Sequence, residues 1–168
     1  SLVGSEMCIR DRIWDATGGL GRDAFVLADL GCEVTLCERM PLLAWLLDQA
    51  VQAAAVSGVD QIRAAAARMS VLAVDSKTQR TPAGTVIYLD PMFPERKKAA
   101  AVKKEAAMLQ YLADPVDDCE TLWQWAWDQP VERIVVKRPL RAPILGHIRP
   151  AHTLKGKSVR FDVFIRRL

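Results

Sequence analysis

The sequence predicts an α/β fold built on a mainly parallel sheet, and three observations carry that prediction. Short apolar runs such as Glu33–Cys37 (EVTLC) and Thr85–Asp90 (TVIYLD) alternate with longer amphipathic segments. A glycine-rich turn, Ala16–Gly21, joins the first run to the first amphipathic segment. No internal repeat or low-complexity linker divides the chain, whose 168 residues suit one domain with a sizeable core.

Each element has its own signal. Ile13-Trp14-Asp15 ends the first strand, which could begin as early as Met7. Arg22–Leu30 reads as a helix stopped by Gly31. EVTLC is the second strand. Pro41 opens a helix at the position where proline is tolerated, running to about Ser57-Gly58. Met69–Val74 and TVIYLD are the third and fourth strands. Ala64–Ala67 is either helix-compatible or a tight connection. Lys97–Ala113 is predicted helical, with Val102, Ala106 and Leu109 on one face. Cys119–Trp127 reads as a further helix and Arg133–Val136 as a strand. Ile148–Thr153 and Ser158–Ile165 read as a hairpin around Lys155-Gly156.

Composition narrows the class. Hydrophobic residues make up 51% and charged residues 26%, ordinary values for a globular protein. No apolar run approaches the roughly 18 residues needed to cross a bilayer, and no basic-then-apolar leader is recognised at the start. Cys8, Cys32, Cys37 and Cys119 show neither a C-x-x-C pair nor a zinc-like His partner. They read as reduced thiols of a cytoplasmic protein, with no metal site. Residues 1–12 (SLVGSEMCIRDR) resemble translated sequencing-adaptor sequence, so they are expected to be foreign and residues 13–168 to form the domain.

The turn Asp15-Ala16-Thr17-Gly18-Gly19-Leu20-Gly21-Arg22-Asp23 has the form of a nucleotide cradle, with free N–H groups at the start of the helix that follows. Two cofactors compete for it. Gly19-x-Gly21-x-x-Ala24, with Glu38 about 20 residues on, fits a dinucleotide fingerprint and hence a nicotinamide-dependent oxidoreductase. Asp15 at the strand end argues otherwise, because a carboxylate repels pyrophosphate but suits the cationic amino group of a methionine moiety. Glu38 would accept from ribose hydroxyls. Asp75-Ser76 would lie at an adenine edge.

Asp90-Pro91-Met92-Phe93-Pro94 follows the fourth strand and resembles the D/N-P-P-Y/F loop of amino-group methyltransferases, with Met92 replacing the second proline. An exocyclic amine is a poor nucleophile, since its lone pair is delocalised into the ring. Acceptors at Asp90 and the Pro91 carbonyl would hold the amine in line and favour a more tetrahedral nitrogen. Phe93 offers a face on which a base can stack.

The segments DATGGLGRDAFVLADLGCEVTLCER, VIYLDPMFPERKKAAAVKKE, IVVKRP and KGKSVRFDVF resemble the 16S ribosomal RNA guanine-N2 methyltransferase family over roughly Trp14–Ile165. The resemblance implies a class I methyltransferase fold, a Rossmann-like three-layer sandwich on a mostly parallel seven-stranded sheet whose last strand is antiparallel. It implies S-adenosylmethionine as cofactor, contacted by Arg22, Asp23, Glu38, Arg39, Asp75, Ser76 and Asp90, beside Asp15, Gly19 and Gly21 of the turn read above. It implies as substrate the N2 of one guanine near the 3′ end of small-subunit ribosomal RNA. Three departures stand out: Gly18 where the family commonly has alanine, Asp75 where serine is expected, and no counterpart to an N-terminal region of several tens of residues.

A ribosomal RNA partner also suits the charge. Residues 131–168 carry ten Lys/Arg against two Asp/Glu, or +8, and residues 1–130 carry thirteen against eighteen, or −5. Arg96, Lys97, Lys98, Lys103 and Lys104 after the DPMFP loop, with Lys137 and Arg138, are the expected phosphate contacts. Arg141, Arg149, Lys155, Lys157 and Arg160 add to this basic set. Trp123 and Trp127, four apart on a helix, are expected in the core. DNA or protein amides as substrate, and a non-catalytic RNA-binding domain, remain the other readings.

Overall fold

A computed structural model describes residues 11–91 and 119–166. Its strands are β1 (Arg12–Asp15), β2 (Glu33–Cys37), β3 (Met69–Leu72), β4 (Thr85–Leu89), β5 (Arg133–Pro139), β6 (His152–Lys155) and β7 (Val159–Ile165). Its helices are α1 (Arg22–Asp29), α2 (Pro41–Ala55), α3 (Asp60–Ala66) and α4 (Cys119–Asp128). Among the described residues the strands form one seven-stranded sheet in the order β3-β2-β1-β4-β5-β7-β6. β1, β2, β3, β4 and β5 pair in parallel, and β7 lies antiparallel between β5 and β6. The expected sheet, with a single antiparallel last strand, is what forms.

Period-2 alternation explains the layers. In β1, Ile13 joins Ala24, Leu27 and Ala28 of α1, Leu47 of α2 and Ala65 of α3 in one core. Its neighbour Trp14 joins Leu122, Trp123 and Ala126 of α4 in the other. Burial of a side chain the size of Leu27 contributes about 1.5–3 kcal/mol. Trp123 is a core residue as expected, with its ring centroid 4.4 Å from that of Phe164 and 5.4 Å from that of Trp127.

Four elements differ from expectation. β3 stops at Leu72, two residues before the expected Val74. Asp60–Ala66 is a full helix, although its alanine run shows no contrast between faces. β5 continues through Lys137 and Arg138 to Pro139, because β7 supplies partners along that length. β6 begins at His152 and not Ile148; Pro150 has no N–H for the ladder, and Ala151 N makes the first bond to the Val163 carbonyl, at 2.8 Å. The predicted helix Lys97–Ala113 and the Met7 start of β1 lie outside the described residues. No described helix is long and apolar enough to cross a membrane.

Candidate active site

Parallel strands end together, so the residues that follow them share one edge. In this chain Asp15, Glu38, Asp90 and Lys137 come to the carboxyl ends of β1, β2, β4 and β5, and one turn ties most of that edge together.

The Ala16–Gly21 turn bonds to every neighbouring strand end. Ala16 N donates to the Tyr88 carbonyl (3.0 Å) and Gly18 N to the Cys37 carbonyl (2.9 Å). Gly19 N donates to Glu38 Oε2 at 3.0 Å, and the Ser76 hydroxyl donates to the Ala16 carbonyl at 3.0 Å. Thr17 links the ends of β1 and β4: its hydroxyl donates to Asp15 Oδ1 at 3.3 Å and accepts from Asp90 N at 2.7 Å. Small residues are required here. A Cβ on Gly18 would stand 3.0 Å from the Cys37 carbonyl oxygen. Gly21 caps α1 at φ 69, where a Cβ would also meet Leu47 Cδ1 at 2.6 Å.

Asp15 is 2% exposed, and its hydrogen bonds from described residues, both from Thr17, fall on Oδ1. Burial pushes its carboxyl up to about 7, with Asp23 and Asp90 adding repulsion against the Thr17 bonds. Glu38 is also buried; Oε2 holds Gly19 N, and Oε1 holds Met40 N at 2.8 Å. Through these backbone bonds Glu38 shapes the turn as well as facing the edge. Arg22 is exposed at the first turn of α1, and Arg39 is half-buried after β2. Asp75 caps a short 3-10 turn through Lys77 N at 2.9 Å. Ser76 is buried beneath the glycine turn, where its hydroxyl is engaged.

At the end of β4, Pro91 is buried and Asp90 half-buried. Burial raises the Asp90 carboxyl and Asp23 adds to the effect, against the pull of Lys137. Lys137 Nζ lies 3.0 Å from Asp90 Oδ2 and 2.7 Å from Asp23 Oδ2. The Tyr88 hydroxyl donates to the same Asp23 oxygen at 2.6 Å. Burial pushes the Tyr88 phenol well up, and the Asp23 and Asp90 carboxylates push it further, so it stays a donor. Phe93, Arg96, Lys97, Lys98, Lys103 and Lys104 lie outside the described residues.

Two expected phosphate contacts sit elsewhere. Arg138 is 1% exposed, and its guanidinium donates to the Pro143 carbonyl inside the fold, so it does not reach solvent. Lys137 faces carboxylates. Arg160 is likewise buried, against Asp162 at 3.0 Å. Arg141, Arg149, Lys155 and Lys157 are exposed. The register Pro139↔Val159 and Lys155↔Arg160 puts Lys155, Lys157 and Arg141 at the carboxyl-end edge. Thr17 and Tyr88 escaped the sequence reading. A threonine inside a glycine turn, and a tyrosine two before Asp90 on the same strand face, were the available signals.

A protein-family profile described as "Putative SAM-dependent methyltransferase" matches residues 2–166. The chain belongs to this methyltransferase family. It is 45% identical over 166 residues to the ribosomal RNA small subunit methyltransferase J of Stutzerimonas stutzeri, covering 96% of this chain and 64% of that protein. It is 46% identical over 167 residues to the protein of that name from Pseudomonas aeruginosa, covering 96% and 63%. The chain thus spans less than two-thirds of the length of these relatives. A crystal structure of a SAM-dependent methyltransferase from Neisseria gonorrhoeae superposes with a TM-score of 0.72 at 34% identity, covering 92% of this chain and 61% of that one. A 23S rRNA methyltransferase, ErmE, shares the fold at a TM-score of 0.59 and 14% identity.

The edge fits the family's cofactor better than a dinucleotide. Gly19 N, which a pyrophosphate would need, is held by Glu38, and buried Asp15 adds a second acid to the turn. A buried carboxyl with one oxygen unengaged by described residues suits a cationic ligand.

Proposed function

We propose that this chain is the catalytic core of a methyltransferase that modifies the exocyclic N2 of a guanine in small-subunit ribosomal RNA, in the cytoplasm. The observation that carries the reading is the single sheet edge shared by Asp15, Glu38 and Asp90, joined through Thr17 and Gly19. The names of the longer relatives supply the class of RNA.

Bound S-adenosylmethionine supplies an electrophilic methyl group. Asp15 would hold its cationic amino end, Glu38 its ribose hydroxyls, and Asp75 and Arg39 would flank the adenosine side. On the other side Asp90 and the Pro91 carbonyl accept the two hydrogens of the guanine amine, orienting its lone pair. This bonding strengthens as positive charge develops on nitrogen, so it favours the transition state over the ground state. Once methylated, the cationic nitrogen gives up its proton readily, so a strong base is not required. Phe93 would stack on the flipped base. Arg141, Lys155 and Lys157 on the same edge offer phosphate contacts that strengthen at low salt.

The test is transfer of labelled methyl to under-methylated small subunits, with digestion to nucleosides. Label on N2-methylguanosine is expected, and its loss in Asp90→Ala with S-adenosylhomocysteine binding retained. Transfer to DNA or protein instead of RNA, or NAD binding without S-adenosylhomocysteine binding, would refute it.

A further inference from the structure

The charge pattern assigns Lys137 to RNA phosphate, but its surroundings do not. We infer that Lys137 is a positioning residue of the methyl-transfer site, whose ammonium clamps the Asp90 carboxylate to α1 as an acceptor for the substrate amine. The inference rests on the role proposed above for Asp90.

Three observations carry it. One ammonium bridges Asp23 Oδ2 (2.7 Å) and Asp90 Oδ2 (3.0 Å), so it joins α1 to the loop after β4. Asp90 is thereby held twice, its main-chain N–H by Thr17 Oγ1 at 2.7 Å and its carboxylate by Lys137. Among the described residues the side-chain bond falls on Oδ2, and the proposed acceptor for the amine is Oδ1. The second anchor is itself braced, since the Tyr88 hydroxyl fixes Asp23 at 2.6 Å. A phosphate approaching Lys137 would find two of its three donors engaged and would face carboxylates.

The charge balance runs the same way. Asp90 faces Lys137 from β5, Asp23 from α1, Asp15 and Thr17 from β1 and its turn, and Tyr88 from its own strand. Lys137 is the cation of that set. Burial alone would lower its pKa, but Asp90 and Asp23 raise it, so it stays charged through neutral pH. Without it, burial and Asp23 both drive Asp90 toward the protonated form, which donates where the substrate amine also donates.

The test compares Lys137→Gln and Lys137→Arg with the parent chain. In the ligand-free protein the Asp90 carboxyl is titrated by carbon NMR, with its signal assigned by loss in Asp90→Asn. Its midpoint is expected to rise by about one pH unit or more in the glutamine variant and to return toward the parent value in the arginine variant. In methyl transfer to small subunits, kcat at pH 7 falls by about 100-fold in Lys137→Gln through lost positioning, with only the part due to Asp90 protonation recovering as pH rises through the raised midpoint, while KM for RNA changes less than about twofold. An unchanged Asp90 midpoint overturns the inference. So does a raised KM with kcat and pH profile unaltered, which is the signature of a phosphate contact. Should the glutamine variant not fold, Lys137→Arg decides, since it keeps the charge but moves the donor; parent kcat in that variant overturns the clamp. Should the parent transfer no methyl to guanine, that reading of the substrate fails, and the Asp90 titration still judges Lys137.

Discussion

Asp15 offers the sharpest quantitative test of the cofactor side. Its carboxyl is raised from 3.8 to about 7, mainly by burial. The unfolded chain therefore loses this proton near pH 4, and the ligand-free fold keeps it to about pH 7. Between those limits the folded state binds more protons, so stability falls as pH rises, by about 1.4 kcal/mol per pH unit from this group. Over the whole window this amounts to roughly 4 kcal/mol, an upper figure for a site so buried. A ligand whose cationic amine needs ionised Asp15 must first expel the proton. At pH 6 only about one molecule in eleven is competent, so affinity for S-adenosylhomocysteine should be roughly tenfold weaker than at pH 8 and level off above pH 7. Calorimetry at pH 6 in buffers of different ionisation enthalpy should register about 0.9 proton released per ligand bound. Asp15→Asn should bind weakly at every pH, and its melting temperature should match the parent's only below about pH 4 and exceed it increasingly as pH rises to about 7. A flat affinity from pH 6 to 8, or a stability gap independent of pH, would refute the reasoning.

Other substitutions test the remaining parts. Thr17→Val keeps the shape but strips the Asp15 and Asp90 N–H partners; thermal melts should report a loss of about 1–3 kcal/mol. Gly21→Ala forces a side chain into a φ of 69 and against Leu47; a comparable loss, about 1–3 kcal/mol, and weakened S-adenosylhomocysteine binding are expected by denaturant melts and calorimetry. Replacing Arg141, Lys155 and Lys157 together by alanine should weaken RNA binding uniformly. It should also flatten the slope of log affinity against log salt by up to about 2, measured by fluorescence anisotropy.

Much of the architecture was readable because local pattern and tertiary role coincide. EVTLC is β2 from end to end, Pro41 starts α2, and the acidic strand ends fall where the alternation puts them. The helix α3 was obscured because a run of alanines has no polar face to set its period. The basic residues were harder for a different reason. Lys137, Arg138 and Arg160 look alike in a charge count, yet their partners are Asp23, the Pro143 carbonyl and Asp162. A positive side chain does not announce whether its counter-charge is a phosphate or a carboxylate of its own fold. Tyr88 was absorbed into an apolar run, although its spacing from Asp90 places both on one strand face.

The topology also dictates when this centre comes into being. β1 lies between β2 and β4, and Lys137 reaches Asp23, 114 positions earlier in the chain. Closing contacts of such separation is a slow entropic step, so the clamp forms late relative to local helices. During synthesis, a ribosome-bound fragment ending before β5 would own the glycine turn and both acids, but no ammonium to hold Asp90. Assembly of this bridge is thereby deferred until β5 has emerged and docked beside β4.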